Sequence, residues 1–197
     1  MRASLGGILL WSVLSLTLAG DGPVQIRDVD GRMLDPFAPS GAATVIFFVQ
    51  TDCPISNGYA PEIQRVCREY GPRGVGCALM YEDVETGRSG PLDAAVRRHR
   101  TEYRYEGIPA AVDRTRAVAR QAGATITPQA VVVDRQGVIR YRGRIDNLYS
   151  SIGRTRPRVT EHDLRDALDA VLMGRPVPTP RTDALGCHIV DPALLER

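Results

Sequence analysis

The sequence predicts a layered α/β or mixed α+β fold, in which helices pack around one central sheet. Two apolar runs, Thr44 to Val49 and Val75 to Tyr81, are uninterrupted in the way that buried strands are. A segment with apolar residues at helical spacing follows each run, and a hairpin and a final helix close the pattern. Strands and helices that alternate in this way form a sheet covered by helices. A length of 197 residues fits one such domain with a short extension.

The first half of the chain contains a hairpin and a kinked helix besides these two strands. The alternation from Val24 to Leu34 around Asp30-Gly31 predicts a small hairpin before the first long strand. After that strand, Pro54 suits the first position of a helix, and Pro61 predicts a kink within it. The apolar face of this helix consists of Tyr59, Ile63, Val66, Cys67 and Tyr70.

The second half continues with shorter elements. A helix opens at Gly90-Pro91, a short strand follows at Ala110 to Val112, and a short helix lies around Arg116 to Ala122. The runs Gln129 to Asp134 and Val138 to Ile145 then predict a hairpin. These elements extend the alternating pattern toward the end of the chain.

The last helix has the clearest boundary signals. Thr160 is the predicted cap, and Asp163 follows it by three residues. Gly174 and Pro176 end the helix, because glycine terminates helices and proline cannot continue them.

Three domain segments follow from this pattern: a leader at residues 1–19, one domain at residues 20–174, and a tail at residues 175–197. Within the domain, Asp146 to Val159 has no regular pattern and is predicted to be a long structureless connection. The tail is rich in proline and is expected to be flexible, yet it carries Cys187.

The leader has the three-part pattern of a secretory signal peptide. Arg2 supplies the charged start, Leu5 to Ala19 is mostly apolar, and Thr17-Leu18-Ala19 offers a cleavage site. The apolar stretch is shorter than the ~20 residues that span a bilayer, although an uncleaved anchor stays open. We therefore expect an exported protein, periplasmic or extracellular, with no membrane contact beyond this segment. Disulfides persist in such compartments.

The charge pattern points to no polyanionic partner. The formal net charge is +2, which is too small to indicate nucleic-acid binding. All 25 basic residues are arginines, and they are scattered along the chain instead of clustered on one stripe.

Cys53 stands where the first buried strand gives way to a helix, directly before Pro54. A helix N-terminus carries unsatisfied N–H groups and a partial positive charge. Such a position lowers the pKa of a thiol and favours the nucleophilic thiolate. Cys53 is therefore the candidate nucleophile, and a buried inert thiol is the alternative.

The four cysteines permit three pairings. Cys53 and Cys67 lie too far apart on one helix, by roughly 21 Å at 1.5 Å per residue. In a parallel strand–helix–strand unit, Cys67 on the returning helix comes close to Cys77 near the start of the next strand. The favoured arrangement is therefore Cys67 with Cys77 and Cys53 with Cys187. Unpaired core thiols at Cys67 and Cys77 remain the alternative to a structural disulfide.

The same residues resemble the thioredoxin fold. The resemblance rests on a strand that ends in Cys53-Pro54, a proline eight residues after the cysteine at Pro61, and the Thr127-Pro128 step before a hairpin strand. The N-terminal hairpin, the inserted helix and the string TPQAVVVDRQGVIRYRGRID are similar to the redoxin branch of alkyl-hydroperoxide-reductase and thiol-specific-antioxidant proteins and exported bacterial redoxin-like proteins. The resemblance implies a thioredoxin-like fold with a central mixed sheet, flanking helices and an N-terminal hairpin extension. It also implies a cis peptide bond at Pro128, facing the active sulfur.

The candidate catalytic residues are Cys53 as the nucleophile and Cys187 as its resolving partner, with an ordinary tail thiol as the alternative for Cys187. Candidate substrate-binding residues are Thr127, Pro128, Ser56 and Thr51. Two positions depart from the family patterns. Ser56 stands where thioredoxin-type reductants have a second cysteine, and a hydroxyl cannot attack a mixed disulfide. Gln50 stands where peroxiredoxins have a peroxide-binding threonine, and Thr51 is one residue too near.

Metal and haem sites have weaker support in the sequence. His99 lies on an apolar helix face and fits a hydrogen-bonded core residue better than a ligand. Cys187-His188 lacks the Cys-x-x-Cys-His pattern of a haem attachment site. A copper-delivery site would require a second cysteine beside Cys53, so no metal or other cofactor is expected.

The leading hypothesis is an exported thiol–disulfide oxidoreductase in which the Cys53 thiolate attacks and Cys187 resolves the intermediate. Its partners would be a protein or small-molecule disulfide, thiol or peroxide, together with an external electron donor. The alternative is a non-catalytic redoxin module that binds a partner or a metal through Cys53.

Overall fold

The computed structural model describes residues 24–39, 41–84 and 91–191. Its strands are β1 Ile26–Arg27, β2 Met33–Leu34, β3 Ala43–Val49, β4 Val75–Tyr81, β5 Ala110–Val112, β6 Ile126–Thr127, β7 Gln129–Asp134, β8 Ile139–Gly143, β9 Tyr149–Ser151, β10 Arg154–Thr155 and β11 Cys187–His188. Its α-helices are α1 Pro54–Gly58, α2 Ala60–Tyr70, α3 Leu92–Glu102, α4 Ala117–Ala122 and α5 Asp163–Leu172. A 3-10 turn at Gly71–Arg73 links α2 to β4.

Five strands form the central sheet, in the order β5-β4-β3-β7-β8. β3, β4 and β5 run parallel, whereas β7 pairs antiparallel with both β3 and β8. The sheet is therefore mixed, as the sequence predicts, and β3 lies at its centre. The segment that carries Cys53 begins at the carboxyl end of β3.

Both faces of the sheet are buried, which explains the uninterrupted apolar composition of β3. Val45, Phe47 and Val49 point to the face covered by α2, α3 and α5, whereas Ile46 and Phe48 point to the face covered by α4 and the β1–β2 hairpin. Successive residues of a strand point to opposite faces, so a strand covered on both sides has no polar side. The layered fold predicted from the sequence is confirmed.

The kinked helix appears as two helices. α1 ends at Gly58 and α2 begins at Ala60, with Tyr59 between them and Pro61 near the start of α2. Proline lacks the N–H that a continuous helix needs at this point. Pro54 occupies the first turn of α1, as predicted.

Cys67 and Cys77 form a disulfide, with their Cα atoms 6.0 Å apart. The bridge joins α2 to β4, close to where the chain turns from one into the other. Of the two alternatives left open by the sequence, the structural disulfide is therefore the one present.

Three local predictions are wrong. The connection Asp146 to Val159 is not structureless, because β9 and β10 pair antiparallel within it. Thr160 does not cap α5: its hydroxyl accepts a hydrogen bond from Asn147 at 2.8 Å, and His162 precedes the helix without a side-chain cap. Within its described residues, 175–191, the tail is ordered instead of flexible, since β11 pairs antiparallel with β6.

The predicted signal peptide at residues 1–19 lies outside the described residues. Among the residues that are described, no helix has the length and apolar character needed to cross a membrane.

Candidate active site

Cys53 directly precedes α1, in extended backbone conformation with φ −84° and ψ 109°. Its side chain is completely buried, and its sulfur lies 3.3 Å from the Thr127 carbonyl oxygen. The strand–helix junction predicted from the sequence is therefore present. However, α1 has only five residues, so the groups that contact the sulfur matter more than the dipole of a long helix.

Those groups favour the thiolate of Cys53. Burial on its own raises the pKa of the Cys53 thiol, but hydrogen bonds from the Cys187 thiol, the Ser56 backbone and the Ser56 hydroxyl outweigh burial and lower it below the ordinary value. The Ser56 hydroxyl is itself buried and, within the described part of the chain, makes no hydrogen bond of ordinary geometry. It acts on the Cys53 sulfur as a nearby polar group that contributes to the lowered pKa of Cys53.

The pKa of Cys187 shifts the other way. Burial, the hydrogen bond to Cys53, and the negative charges of Cys53 and Asp52 raise the pKa of Cys187 to about 12. Both thiols are free. The pair therefore loses its first proton from Cys53, while Cys187 stays protonated beside it.

The backbone of the tail brings Cys187 to this position. In the β11–β6 pairing, Cys187 stands opposite Thr127 and His188 opposite Ile126. Gly186 approaches so closely that a Cβ at this position would lie 1.9 Å from the Thr127 carbonyl oxygen. Only glycine fits there without displacing the backbone.

Residues 180–190, which we call the C-terminal strap, are tied to the domain at several points. Three of the hydrogen bonds that hold it join backbone to backbone: Arg142 N to Pro180 O at 3.0 Å, Thr182 N to Arg142 O at 3.2 Å, and Ile189 N to Thr125 O at 2.9 Å. A fourth comes from a side chain, from Arg116 Nε to Val190 O at 2.9 Å. The Thr182 hydroxyl adds hydrogen bonds with Tyr141 and with the backbone N–H of Arg144. The strap is thus an ordered part of the domain.

The Thr127–Pro128 peptide bond is cis, as the resemblance implies. The Thr127 hydroxyl donates a 2.6 Å hydrogen bond to Gln50 Oε1, and Gln50 Nε2 donates to the Glu82 carbonyl at 3.2 Å. The Gln50 amide therefore connects the ends of β3 and β4 to the Pro128 loop. Both of its polar atoms are engaged, so it does not stand in for a peroxide-binding threonine.

Thr51 is likewise engaged by the protein. Its hydroxyl and its backbone N–H both donate to the Asp83 carboxylate. The Thr51 carbonyl accepts from Asn57 Nδ2 at 3.0 Å. Of the four predicted substrate-binding residues, Ser56, Thr127 and Pro128 surround Cys53, whereas the polar groups of Thr51 are directed to Asp83 and Asn57.

His99 holds α1 in place through a hydrogen bond to Asn57. The sequence predicted only a core role for His99. Its Nε2 donates to Asn57 Oδ1 at 2.8 Å, and its Nδ1 accepts from the Tyr81 hydroxyl at 2.9 Å. Burial lowers the pKa of His99 to about 4, so the ring is neutral at pH 7. Asn57 and Tyr81 are site residues that sequence reasoning missed, because nothing local marks them.

A buried contact between an arginine and a carboxyl group lies behind Gln50. Arg116 Nε is 3.3 Å from Glu82 Oε2, and Glu82 is completely buried. Burial, followed by the neighbouring Asp113, raises the pKa of Glu82 to about 9 although Arg116 opposes the shift. The Arg116 guanidinium also donates to the carbonyls of Asp113, Glu82, Asp83 and Val190. It therefore connects the end of β4 to the strap.

The β9–β10 hairpin covers the other side of the site. A Cβ on Gly58 would lie 2.1 Å from the Tyr149 hydroxyl, which places this hydroxyl directly over the end of α1. Burial, followed by the negative charge of Cys53, raises the pKa of Tyr149. A cavity of about 30 Å³ lies here, lined by Tyr59, Pro128, Arg144, Ile145, Asp146, Tyr149, Asp183 and Leu185.

Within the described ranges, no group of three or more His, Cys, Asp or Glu side chains is arranged to hold a metal ion. His188, next to Cys187, is exposed.

Comparisons with known proteins agree with this architecture. Residues 24–142 match the model of the AhpC/TSA family. A search of curated proteins gives no match. An uncharacterized conserved protein from Geobacillus kaustophilus is 30% identical with a TM-score of 0.73, covering 85% of this chain and 88% of that one.

Two further solved structures extend the comparison. A hypothetical protein from Sinorhizobium meliloti is 26% identical with a TM-score of 0.72, covering 84% of this chain and 89% of that one. A thioredoxin-like protein from Aeropyrum pernix is 13% identical with a TM-score of 0.54, covering 77% of this chain and 89% of that one. The last similarity shows a shared thioredoxin-like fold.

Proposed function

Because the chain belongs to the AhpC/TSA family of thiol-dependent oxidoreductases, we propose that Cys53 is its attacking thiolate and Cys187 its resolving thiol. We propose further that it works after export, in a compartment where disulfides persist. The Cys67–Cys77 disulfide supports this location, since structural disulfides are rare in reducing compartments.

One observation carries the proposal: two free thiols lie side by side with opposite pKa shifts. The pKa of Cys53 is lowered, and that of Cys187 is raised to about 12. A nucleophilic cysteine needs a stable thiolate, and its resolving partner must stay protonated until an intermediate exists. The arrangement at the end of β3 has both properties.

The first chemical step is attack on a substrate disulfide. The Cys53 thiolate forms a new bond to one substrate sulfur, the substrate S–S bond breaks, and the departing thiolate takes up a proton from solvent. A mixed disulfide between Cys53 and the other half of the substrate results. With a peroxide, the thiolate would instead take one oxygen and become a sulfenic acid, while the O–O bond breaks and the other oxygen leaves as hydroxide or alkoxide and takes up a proton from solvent.

The second step is resolution by Cys187. Once Cys53 is covalently bonded, its negative charge is gone, so two of the causes that raise the pKa of Cys187 disappear. Cys187 then attacks the Cys53 sulfur and its proton passes to the departing thiolate. The Cys53–Cys187 disulfide forms, the substrate gains two electrons, and an external dithiol returns the protein to its reduced state.

Ser56 explains why this cycle needs the strap. A thioredoxin-type reductant would have its resolving cysteine at this position, whereas Ser56 has a buried hydroxyl that helps to lower the pKa of Cys53. The hydroxyl stabilises the thiolate but cannot form a disulfide. We assign resolution to Cys187 for this reason.

The test is site-resolved alkylation of the reduced protein between pH 4 and pH 9. We expect modification of Cys53 at pH values where Cys187 stays unmodified, because only Cys53 is ionised there. Oxidation with one equivalent of a small disulfide should then yield a Cys53–Cys187 bridge in the peptide map. Equal reactivity of the two thiols, or a bridge that never forms, would overturn the proposal.

A further inference from the structure

The strap lies where an incoming polypeptide would have to lie. β6 is a two-residue strand directly before Pro128, and β11 pairs with it in antiparallel register. Extended peptides bind proteins in this way, by adding a strand to an open sheet edge through backbone hydrogen bonds. In this protein its own residues 187–189 use the backbone groups of Thr125 to Thr127.

The edge of β6 that the strap occupies, which we call its seat, is tightly packed and cannot hold a second strand. Gly186 touches the Thr127 carbonyl so closely that even a methyl group would clash with it. Cys53 is completely buried beneath this contact. Leu185 of the strap bounds the cavity of about 30 Å³ beside Pro128, which is room for about two water molecules.

The strap is also fixed at both ends of the seat. Arg116 donates to the Val190 carbonyl beyond β11, and the Thr182 hydroxyl contacts Tyr141 and Arg144 before it. A second polypeptide could reach the β6 edge only after these contacts have been broken. A small disulfide forms no strand pairing with β6 and does not need that edge, although it too requires a local opening because Cys53 is completely buried.

We propose that the C-terminal strap excludes polypeptide disulfides from Cys53, so that the protein with its strap seated reacts with low-molecular-weight disulfides instead. This inference rests on the proposed function of Cys53. The reaction with a small disulfide is the step described above: a Cys53–substrate bond forms, the substrate S–S bond breaks, and one thiolate leaves. Selection by size is a property of the strap and not of the reacting sulfur.

The experiment compares two reagents with the same leaving group in a Cys187→Ser background, where the mixed disulfide accumulates. One is methyl 2-pyridyl disulfide, and the other is a flexible ten-residue peptide that carries a 2-pyridyl disulfide on a central cysteine. Release of 2-thiopyridone gives both rate constants directly. Because the leaving group is shared, their ratio measures access to Cys53 and not chemical reactivity.

Gly186→Val in the same background should unseat the strap without touching either sulfur. Gly71→Ala is the matched control, since a Cβ at Gly71 meets nothing within 4 Å and its φ is −52°. With the strap seated, we expect the peptide to react more slowly than the small reagent, on the order of tenfold. Gly186→Val should remove most of that difference by raising the peptide rate, whereas Gly71→Ala should preserve it.

Hydrogen exchange at the Ile189 N–H, which donates to Thr125, reports whether the strap has left its seat. If Gly186→Val keeps that N–H protected, a chain truncated after Pro178 removes the strap entirely and provides the same comparison. Equal rates for both reagents with the strap seated, or an unchanged ratio once it is gone, would overturn the inference alone. Lack of reaction with both reagents only while the strap is seated would also overturn the inference alone, whereas lack of reaction with both after the strap is gone would overturn the proposed role of Cys53, and the strap inference with it.

Discussion

The two cysteine pairs of this chain lie at opposite ends of the same strands. Cys77 stands opposite Val45, near the start of β3, and is bridged to Cys67. Cys53 follows the other end of β3 and lies beside Cys187, with both thiols free. The composition of the two pairs is identical, so the difference between them comes from where the fold places them.

The comparison shows that surroundings decide what a thiol does. The bridged pair joins one helix to the strand that follows it. This bond lowers the conformational entropy of the unfolded chain and thereby stabilises the fold. The open pair is surrounded by donors from Ser56 and the strap, which separate the pKa values of its two members. We propose that one pair serves stability and the other thiol–disulfide exchange, and four variants can test that division.

The largest expected effect is that of Cys53→Ser. Without the attacking sulfur, thiol-dependent turnover should fall on the order of 10³-fold or more. Reduction assays with a low-molecular-weight disulfide and with peroxide measure that loss, and thermal unfolding should stay close to that of the unmodified protein. Retained turnover in Cys53→Ser would place the reaction at another residue and end the distinction between the two pairs.

The next largest effect concerns stability. Replacing both Cys67 and Cys77 by alanine should lower the free energy of unfolding by about 3 kcal/mol, as the chain-entropy relation gives for a short closed loop. The bridge has a sequence separation of 10 residues. Urea unfolding measures the change, while the alkylation rate of Cys53 in the folded protein should not move. A large fall in that rate would show that the two pairs are coupled.

Cys187→Ala should reduce the reactivity of Cys53 at neutral pH. Loss of the hydrogen bond from the Cys187 thiol raises the pKa of Cys53, so less thiolate is present at pH 7. Removal of one charge-assisted hydrogen bond corresponds to a fall in alkylation rate of roughly tenfold. Cys187→Ser keeps a hydroxyl donor at this position and is the matched control, so an equal fall in both variants would contradict the hydrogen-bond explanation.

The smallest effect should follow from Ser56→Ala. This change removes the hydroxyl donor but keeps the Ser56 backbone N–H, which is the larger of its two contributions to the lowered pKa of Cys53. We expect a fall in the alkylation rate at pH 7 of roughly threefold, at the weak end of the range for one hydrogen bond. The full pH profile of alkylation should shift to higher pH without a change in its upper limit. A lower upper limit would indicate a steric effect instead.

The elements around the bridged pair and the start of the site could be predicted because their signals are local. The apolar run of β3, the position of Pro54, the kink at Pro61 and the cis bond before Pro128 all depend on neighbouring residues or a short motif. The disulfide followed from the return of α2 toward β4. The disulfide needed only the geometry of one strand–helix–strand unit, whereas the cis bond was implied by the resemblance to the thioredoxin fold.

The strap could not be predicted in detail, because it depends on contacts between distant parts of the chain. β11 has two residues, and what holds it is its register with Thr127, sixty positions earlier. The same reason applies to Thr160, whose hydroxyl is taken by Asn147, and to Gln50, whose amide is taken by Thr127. Local propensity indicates a helix cap at Thr160, and a tertiary partner overrides it.

The strap has one more consequence, which concerns the outer edge of the sheet. β8 is the last strand of the central sheet, and Pro180 and Thr182 hydrogen-bond the backbone of Arg142 on its open side. An unpaired strand edge is a template for a strand from another molecule. The segment that holds Cys187 in place therefore also shields β8 from self-association. A chain that lost residues 180–190 would gain an adhesive edge, and its solubility would fall.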